Sequence, residues 1–168
     1  MIRSNMSVIL EYLNGRGIDH KGRKLDEVLK QNDVYLEENH DYIQWLFPLK
    51  EPSYNVPEAP VITEEEITLA RSSEVIKVNM ENSLDRMTKF YLNNDQWLEP
   101  REHNHLRITR IIKSSRMILG DEPAEEFYNQ IMECVKKNGV EILTLHMAYW
   151  TDAMGLAFDK PPEIIRAF

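Results

Sequence analysis

Hydrophobic residues return at helical spacing along most of this chain. The clearest pattern lies between residues 101 and 120, and its members are Ile108, Ile111, Ile112, Ser115, Ile118 and Leu119. Spacings of mostly three or four positions place them on one face of an α-helix, and that face must be buried. Leu106 stands apart from the stripe, and Gly120 can end the helix in a left-handed conformation. We therefore expect this central helix to be a core element.

A second helix is predicted between residues 33 and 47. Asn32 or Asp33 can cap its start, and Pro48 ends it. Its apolar stripe consists of Leu36, His40, Ile43 and Phe47. We therefore expect His40 to be a buried histidine hydrogen-bonded to a neighbour, in preference to a catalytic role.

Further helices are predicted on both sides of the central one. Thr63 and Glu66 have the spacing of a capping box, and the helix that they begin is interrupted near Ser72. After the interruption the apolar stripe consists of Ile76, Met80, Leu84, Met87, Phe90 and Tyr91. Two more helices follow Gly120, with stripes over residues 124–135 and 142–153.

The connection at residues 48–60 holds four of the eight prolines, which favour extended backbone over helix. No segment shows the alternation that is typical of a strand. A chain of 168 residues can bury one hydrophobic core. We therefore predict an all-α fold, a compact single-domain bundle of about seven helices over residues 1–168 with a proline-rich strap.

The balance of charge limits the classes of partner. The formal net charge of −8 opposes non-specific attraction to nucleic acid or to an anionic membrane. No run of about 18 apolar residues predicts a transmembrane segment. Cys134 is the only cysteine, so no internal disulfide can form, and we expect a cytoplasmic protein.

The central helix also carries the one cluster of basic residues in the chain. Its members are Arg101, Arg107, Arg110, Lys113 and Arg116, which occupy other angles than the apolar stripe. They could bind a phosphate, a carboxylate or an acidic peptide, or they could pair with acidic helices of this chain. Asp41 and Gln44 share one side of their helix and are candidates to meet Arg107 or Arg110.

Three polar residues begin the central helix, namely His103, Asn104 and His105. In helical geometry His103 and His105 point too far apart to bind one metal ion, and no HExxH or CxxC motif adds ligands. We expect neither a metal nor another cofactor. We expect His105 or Asn104 to cap the helix.

Two stretches of the chain carry a family resemblance. They are residues 22–53, GRKLDEVLKQNDVYLEENHDYIQWLFPLKEPS, and residues 103–111, HNHLRITRI. Over most of residues 7–155 the chain resembles the conserved N-terminal region of the opioid growth factor receptor family. Animal members of that family are known as receptors for an enkephalin-type growth-inhibiting peptide, and the family brings no catalytic residues. The chain ends at Phe168, so we expect a short form such as a microbe would carry.

The resemblance and the residues together favour a non-catalytic helical module that binds a peptide or protein partner. The candidate ligand-binding residues are Arg107, Arg110, His103, His105, Asn104, Asp41, Gln44 and His40. One alternative is an enzyme of unknown substrate that uses His40, Asp41, His103 and Arg107. The other is phosphate or nucleic-acid binding through the basic central helix, although we do not expect nucleic acid as the partner.

Overall fold

A computed structural model describes residues 7–100, 102–138 and 144–156, with backbone only at residues 144–145. The nine α-helices in these ranges are α1 (Val8–Leu13), α2 (Leu25–Leu29), α3 (Asp33–Glu38), α4 (Ile43–Leu46), α5 (Glu64–Ser72), α6 (Glu74–Asn93), α7 (Asn104–Leu119), α8 (Asp121–Asn138) and α9 (Thr144–Ala153). A 3-10 turn spans Gln96–Leu98. Every regular element of the described ranges is helical, which confirms the all-α prediction.

The chain forms two compact units that divide between Ser83 and Leu84, inside helix α6. The first unit contains α1 to α5 and the first half of α6, and the second contains the second half of α6 together with α7, α8 and α9. Among the described residues no helix is both long and apolar enough to cross a membrane.

The first unit is built from short helices around large side chains. Helix α1 packs against α4. The fully enclosed aromatic and aliphatic residues include Tyr12, Leu13, Leu36, Tyr42, Leu46 and Phe47. Helices of four to six residues are unstable in isolation, so their stability must come from this packing.

The predicted helix over residues 33–47 is wrong in its middle. Asn32 caps α3 as expected, with its side chain accepting from the amide of Tyr35 at 2.9 Å. Asn39, however, is extended, and its side-chain nitrogen donates to the carbonyl oxygen of Tyr35 at 2.9 Å. That hydrogen bond ends α3 and separates it from α4. The break turns His40 out of the predicted stripe, and its side chain is exposed.

The capping box predicted at Thr63 is confirmed. Thr63 accepts from the amide of Glu66 at 3.1 Å, and the Glu66 carboxylate accepts from the amide of Thr63 at 2.9 Å. The interruption near Ser72 is also confirmed, because α5 ends there and Ser73 is extended. The hydroxyl of Ser73 then accepts from the amide of Ile76 at 3.2 Å within the first turn of α6.

The proline-rich strap connects α4 to α5 within the first unit. It is anchored by a hydrogen bond from the Ile62 amide to the Leu49 carbonyl at 2.9 Å. Val56, Ala59 and Ile62 are buried, so the strap contributes to the core despite its extended backbone.

The second unit is organised around α7, which packs against both α8 and α9. The predicted stripe is buried at Ile108, Ile111, Ile112, Ser115 and Ile118, whereas Leu119 is only half-buried. The hydroxyl oxygens of Ser114 and Ser115 are enclosed and have no hydrogen-bond partner among the described residues. Small side chains at these positions let the neighbouring helices approach α7 closely.

The unpartnered hydroxyl of Ser115 leads to a stability prediction. Ser115→Ala removes a buried polar group that makes no hydrogen bond, so we expect a gain of about 1 kcal/mol in the free energy of unfolding, measured by urea denaturation. The matched control is Ser83→Ala, because Ser83 is equally enclosed but its hydroxyl donates to the Asn79 carbonyl at 3.0 Å. Equal effects of the two substitutions would contradict the prediction.

Candidate functional site

In the first unit, the glycine-rich loop at residues 15–24 folds around its own carboxylate. One oxygen of Asp19 accepts from the backbone amides of Lys21 and Arg23 at 2.9 and 3.0 Å. The Asp19 amide in turn donates to the Arg23 carbonyl at 2.9 Å. Asp19 is 4% exposed. The amides of Lys21 and Arg23 are therefore used inside the loop and do not form a cradle for an external anion.

The guanidinium group of Arg23 connects this loop to two other segments. Its Nε lies 2.6 Å from the second carboxylate oxygen of Asp19. Its Nη1 donates to the hydroxyl of Tyr35 in α3 at 3.0 Å and to Asp41 at 3.1 Å. Charged hydrogen bonds of this kind are stronger than neutral ones. Arg23 thus joins the loop, α3 and the break before α4.

Asp41 is held from both sides by the same loop. Besides Arg23 at one oxygen, Lys21 Nζ lies 2.5 Å from the other, and His20 Nε2 lies 3.6 Å from it. Burial opposes ionisation of Asp41, but hydrogen bonds from Lys21 and Arg23 and their charges outweigh it and lower the pKa of the carboxyl. We expected Arg107 or Arg110 as its partner, and its basic partners are instead these residues of the loop.

Trp45 completes the contact between the HDYIQWLFP stretch and the loop. Its indole nitrogen donates to Nδ1 of His20 at 3.0 Å, and the two rings are stacked at 6.0 Å between centroids. The edge of Tyr12 packs against the same indole at 5.2 Å. We call Asp41 and Trp45 together with Arg23 the loop clamp. Asp41 and Trp45, which belong to the stretch at residues 22–53, therefore have a structural role.

The other candidates of the first unit are His40 and Gln44. His40 is exposed, and the side-chain nitrogen of Gln44 donates to the His40 carbonyl at 3.4 Å. The expectation of a core histidine at position 40 is therefore wrong. Of the candidates in the first unit, Asp41 joins a cluster of charged side chains with Lys21 and Arg23.

In the second unit, the start of α7 is capped by a residue that we did not predict. One carboxylate oxygen of Glu102 accepts from the amide of Asn104 at 2.7 Å, and the other lies 2.7 Å from Nδ1 of His103. A negative charge at this end of the helix is also favoured by the helix dipole. The expectation that His105 or Asn104 caps the helix is wrong, because both are buried within its first turn.

Asn104 and Arg107 form a buried polar pair one turn apart. The side-chain oxygen of Asn104 accepts from the Tyr91 hydroxyl at 3.1 Å and from Arg107 Nη1 at 3.2 Å. Arg107 is only 8% exposed, although we placed it away from the buried face. The cluster of basic residues therefore divides: Arg107 lies in the interior, Lys113 is exposed, and Arg110 is half-buried. Arg101 lies outside the described residues.

His105 makes directed hydrogen bonds to several segments of the second unit. Its Nε2 lies 2.5 Å from the carbonyl oxygen of Trp97, and its Nδ1 lies 2.6 Å from Nδ1 of His146. Its own carbonyl accepts from the indole nitrogen of Trp150 at 3.0 Å. Both ring nitrogens are therefore engaged.

The partners of His105 assign its tautomer. A carbonyl oxygen only accepts, so Nε2 of His105 carries the hydrogen, and Nδ1 accepts from Nδ1–H of His146. Desolvation lowers the pKa of His105 to about 4, the hydrogen bond to the Trp97 carbonyl opposes this, and His146 and His103 add to the lowering. Protonation of His146 at Nε2 leaves the hydrogen bond between the two histidines intact. Protonation of His105 at Nδ1 breaks it, because two N–H groups then face each other.

The residues that complete both clusters escaped the sequence reasoning. Asp19 and Arg23 lie in a loop whose glycines and charges are typical of an exposed connection. His146 lies within the last predicted helix, and it is half-buried with its ring bonded to His105. The four-residue spacing of Asp19 and Arg23 across Gly22 was the available signal for a structured loop.

The loop clamp predicts a large stability effect at Asp41. Asp41→Asn keeps the size of the side chain but leaves Lys21 and Arg23 without their shared anion, so we expect a loss of about 1–3 kcal/mol in the free energy of unfolding. Asp26→Asn is the control, because Asp26 is exposed and pairs with Lys30 at 3.7 Å. We expect less than about 0.5 kcal/mol there. A similar small loss at Asp41 would rule out the clamp as a stabilising contact.

His105 predicts that stability falls in mild acid. In the folded state its pKa is about 4, against 6.5 for the free side chain, so the unfolded chain binds more protons between these values. We therefore expect the free energy of unfolding to fall by about 2–3 kcal/mol as the pH is lowered from 6.5 to 4. Denaturation midpoints across this range should depend less on pH in His105→Gln than in the parent. His40→Gln, at an exposed position, should retain the parent's pH dependence.

Comparison with known proteins places these clusters in a family. The opioid growth factor receptor of Rattus norvegicus is 35% identical over 124 residues, which cover 61% of this chain and 21% of that protein. The human receptor is 36% identical over 113 residues, which cover 55% of this chain and 16% of that receptor. Opioid growth factor receptor-like protein 1 of Rattus norvegicus is 28% identical over 157 residues, which cover 79% of this chain and 32% of that protein.

The chain spans about a fifth of the length of the receptors that it matches. No solved structure matches it. The family model described as the opioid growth factor receptor conserved region matches residues 3–154, which include both clusters. This match covers most of the chain, and the protein therefore belongs to the opioid growth factor receptor family.

Proposed function

We propose that this chain is a non-catalytic helical module that binds a peptide or protein partner. The observation that supports this most is an outward stripe along α7, which we call the α7 face. Its members are His103, Leu106, Arg110, Lys113 and Met117, spaced by three and four positions, and each is exposed or half-buried. Leu106 is 62% exposed. A large aliphatic side chain flanked by cationic groups is suited to a partner that has both apolar and acidic residues.

Helix α9, which packs against α7, carries an exposed aromatic side chain. Tyr149 is 47% exposed and immediately precedes Trp150, whose indole is bonded to α7 through the carbonyl of His105. Tyrosine and arginine are the residues most often responsible for binding energy at protein interfaces. The relatives named above are called receptors, which agrees with a binding role for the shared region.

The environments of two proposed catalytic residues favour binding over catalysis. The carboxylate of Asp41 has a lowered pKa and partners on both oxygens, which makes it a weak base. Arg107 lies in the interior and is bonded to Asn104. Both residues therefore have structural partners of the kind that stabilise the fold.

A cytoplasmic location is part of the same proposal. Cys134 is half-buried, and burial raises the pKa of its thiol, so the side chain is mostly protonated at neutral pH. A single thiol of this kind is compatible with a reducing compartment.

Peptide selection tests the proposal without a known ligand. A random peptide library displayed on phage is selected against the protein, and the selected peptides are measured by isothermal titration calorimetry. We expect peptides with acidic residues around an aromatic or aliphatic anchor, and about tenfold weaker binding to Leu106→Ala. Val34→Ala is the control, because Val34 is 63% exposed on α3 and lies outside the α7 face.

Three outcomes would count against the proposal. Binding that is unchanged in both Leu106→Ala and Lys113→Ala would exclude the α7 face. Affinity for duplex DNA that falls steeply with salt would favour the nucleic-acid alternative. Turnover of a panel of small esters or phosphates by the purified protein, lost in His40→Ala or His103→Ala, would favour the enzyme.

A further inference from the structure

A pocket of about 290 Å³ lies in the second unit where α6 and α8 end. The last turn of α6 forms one side, and the segment that follows it contributes Asp95 and Leu98. Helix α8 contributes Cys134 and Asn138. The volume is at the lower end for ligand pockets, so it suits a single side chain or a small molecule of similar size.

Two of the asparagine side chains that line this pocket donate hydrogen bonds from their nitrogens to backbone carbonyls. The side-chain nitrogen of Asn138 donates to the Cys134 carbonyl at 2.7 Å, and that of Asn94 donates to the Phe90 carbonyl at 2.8 Å. The Asn138 amide therefore uses its nitrogen on its own helix, and its oxygen is an acceptor on the other side of the same group. Asp95 adds an exposed carboxylate, and no basic side chain is among the described residues that line the pocket.

The two helix ends give the pocket a negative potential. The C-terminus of an α-helix carries a partial negative charge from its last carbonyl groups, and here α6 ends at Asn93 and α8 at Asn138. Lys136 and Lys137 lie in the last turn of α8 and partly offset this charge, but neither lines the pocket. Asp95 reinforces the negative potential.

The lining also includes apolar side chains. Leu98 is 7% exposed and Tyr91 is 1% exposed, and the half-buried Cys134 adjoins them in the lining. A ligand that matches both parts has a hydrocarbon stem and a positively charged head that donates hydrogen bonds. We infer that this pocket binds an alkylammonium group, with its stem on Leu98 and its head at Asp95 and Asn138. The inference uses no residue of the α7 face and does not depend on it.

An NMR titration tests this site with simple probes. n-Butylammonium is added to ¹⁵N-labelled protein at neutral pH, where the amine is protonated. We expect chemical-shift changes of the backbone amides at residues 92–95 and 134–138 that saturate at millimolar concentrations of the probe. We expect no change at the end of α7 around Gly120. Butanesulfonate and butanol are the anionic and neutral probes of the same length, and neither should reproduce the shifts. Absent shifts, or equal shifts with butanesulfonate, would overturn the inference.

Variants distinguish the charge from a non-specific effect. Asp95→Asn should weaken n-butylammonium binding about threefold, and Lys137→Gln should strengthen it slightly. Asp85→Asn is the control, because Asp85 is an exposed acid of α6 paired with Lys89 at 2.9 Å and lies outside the pocket. Binding that responds equally to the substitutions at Asp85 and Asp95 would exclude a localised site.

The source of the ammonium group is decided by a second probe. A short peptide with blocked ends and one central lysine is titrated in the same way. Stronger binding of this peptide than of n-butylammonium assigns the site to a lysine of a partner protein, and weaker binding assigns it to a free amine. If neither probe shifts the pocket amides, the proposal fails, whatever the result at the α7 face.

Discussion

The guanidinium group of Arg23 connects three segments of the first unit, namely the loop before α2, helix α3 and the break before α4. Helices α2, α3 and α4 have five, six and four residues, and none is long enough to be stable alone. Asp19, Tyr35 and Asp41 each accept a hydrogen bond from this one side chain. Because a rigid planar group donates in fixed directions, it sets the positions of all three segments together. The enclosed aromatic core of the unit can then form around them.

The second unit differs from the first, because its helices are longer but must be aligned with one another. Its helices are long and their stripes are apolar, so burial alone would drive them together with little preference for one alignment. The polar groups of Asn104, His105 and Arg107 are enclosed among these helices, and each must meet a particular partner. A wrong alignment would leave such groups without hydrogen bonds, which costs more than the contacts themselves contribute. Polar burial therefore selects one packing from several that hydrophobicity permits.

The sequence predicted the parts of this fold that depend on periodicity. The stripe from Ile76 to Tyr91, the buried face of α7 and the capping box at Thr63 follow from spacing and local chemistry, and all are present. The break at Asn39 was missed because the apolar spacing continues across it, and a side-chain hydrogen bond to Tyr35 ends the helix instead. Arg107 was misplaced for a related reason, since its burial depends on Asn104 and Tyr91 rather than on its own polarity. Contacts between distant side chains leave no periodic signal.

The hydrogen bonds of His105 also limit the motion of α9. A helix that is held only by apolar contacts can roll about its axis or slide along it at little cost. His146 and Trp150 are one turn apart on α9, and both are bonded to His105, one to its ring and the other to its carbonyl. Because these two hydrogen bonds lie one turn apart along α9, together they prevent both rotation of the helix about its axis and translation along it. The side of α9 that carries Tyr149 therefore keeps a fixed orientation, and a partner would meet a tyrosine anchored on a rigid support rather than one that must be ordered on binding.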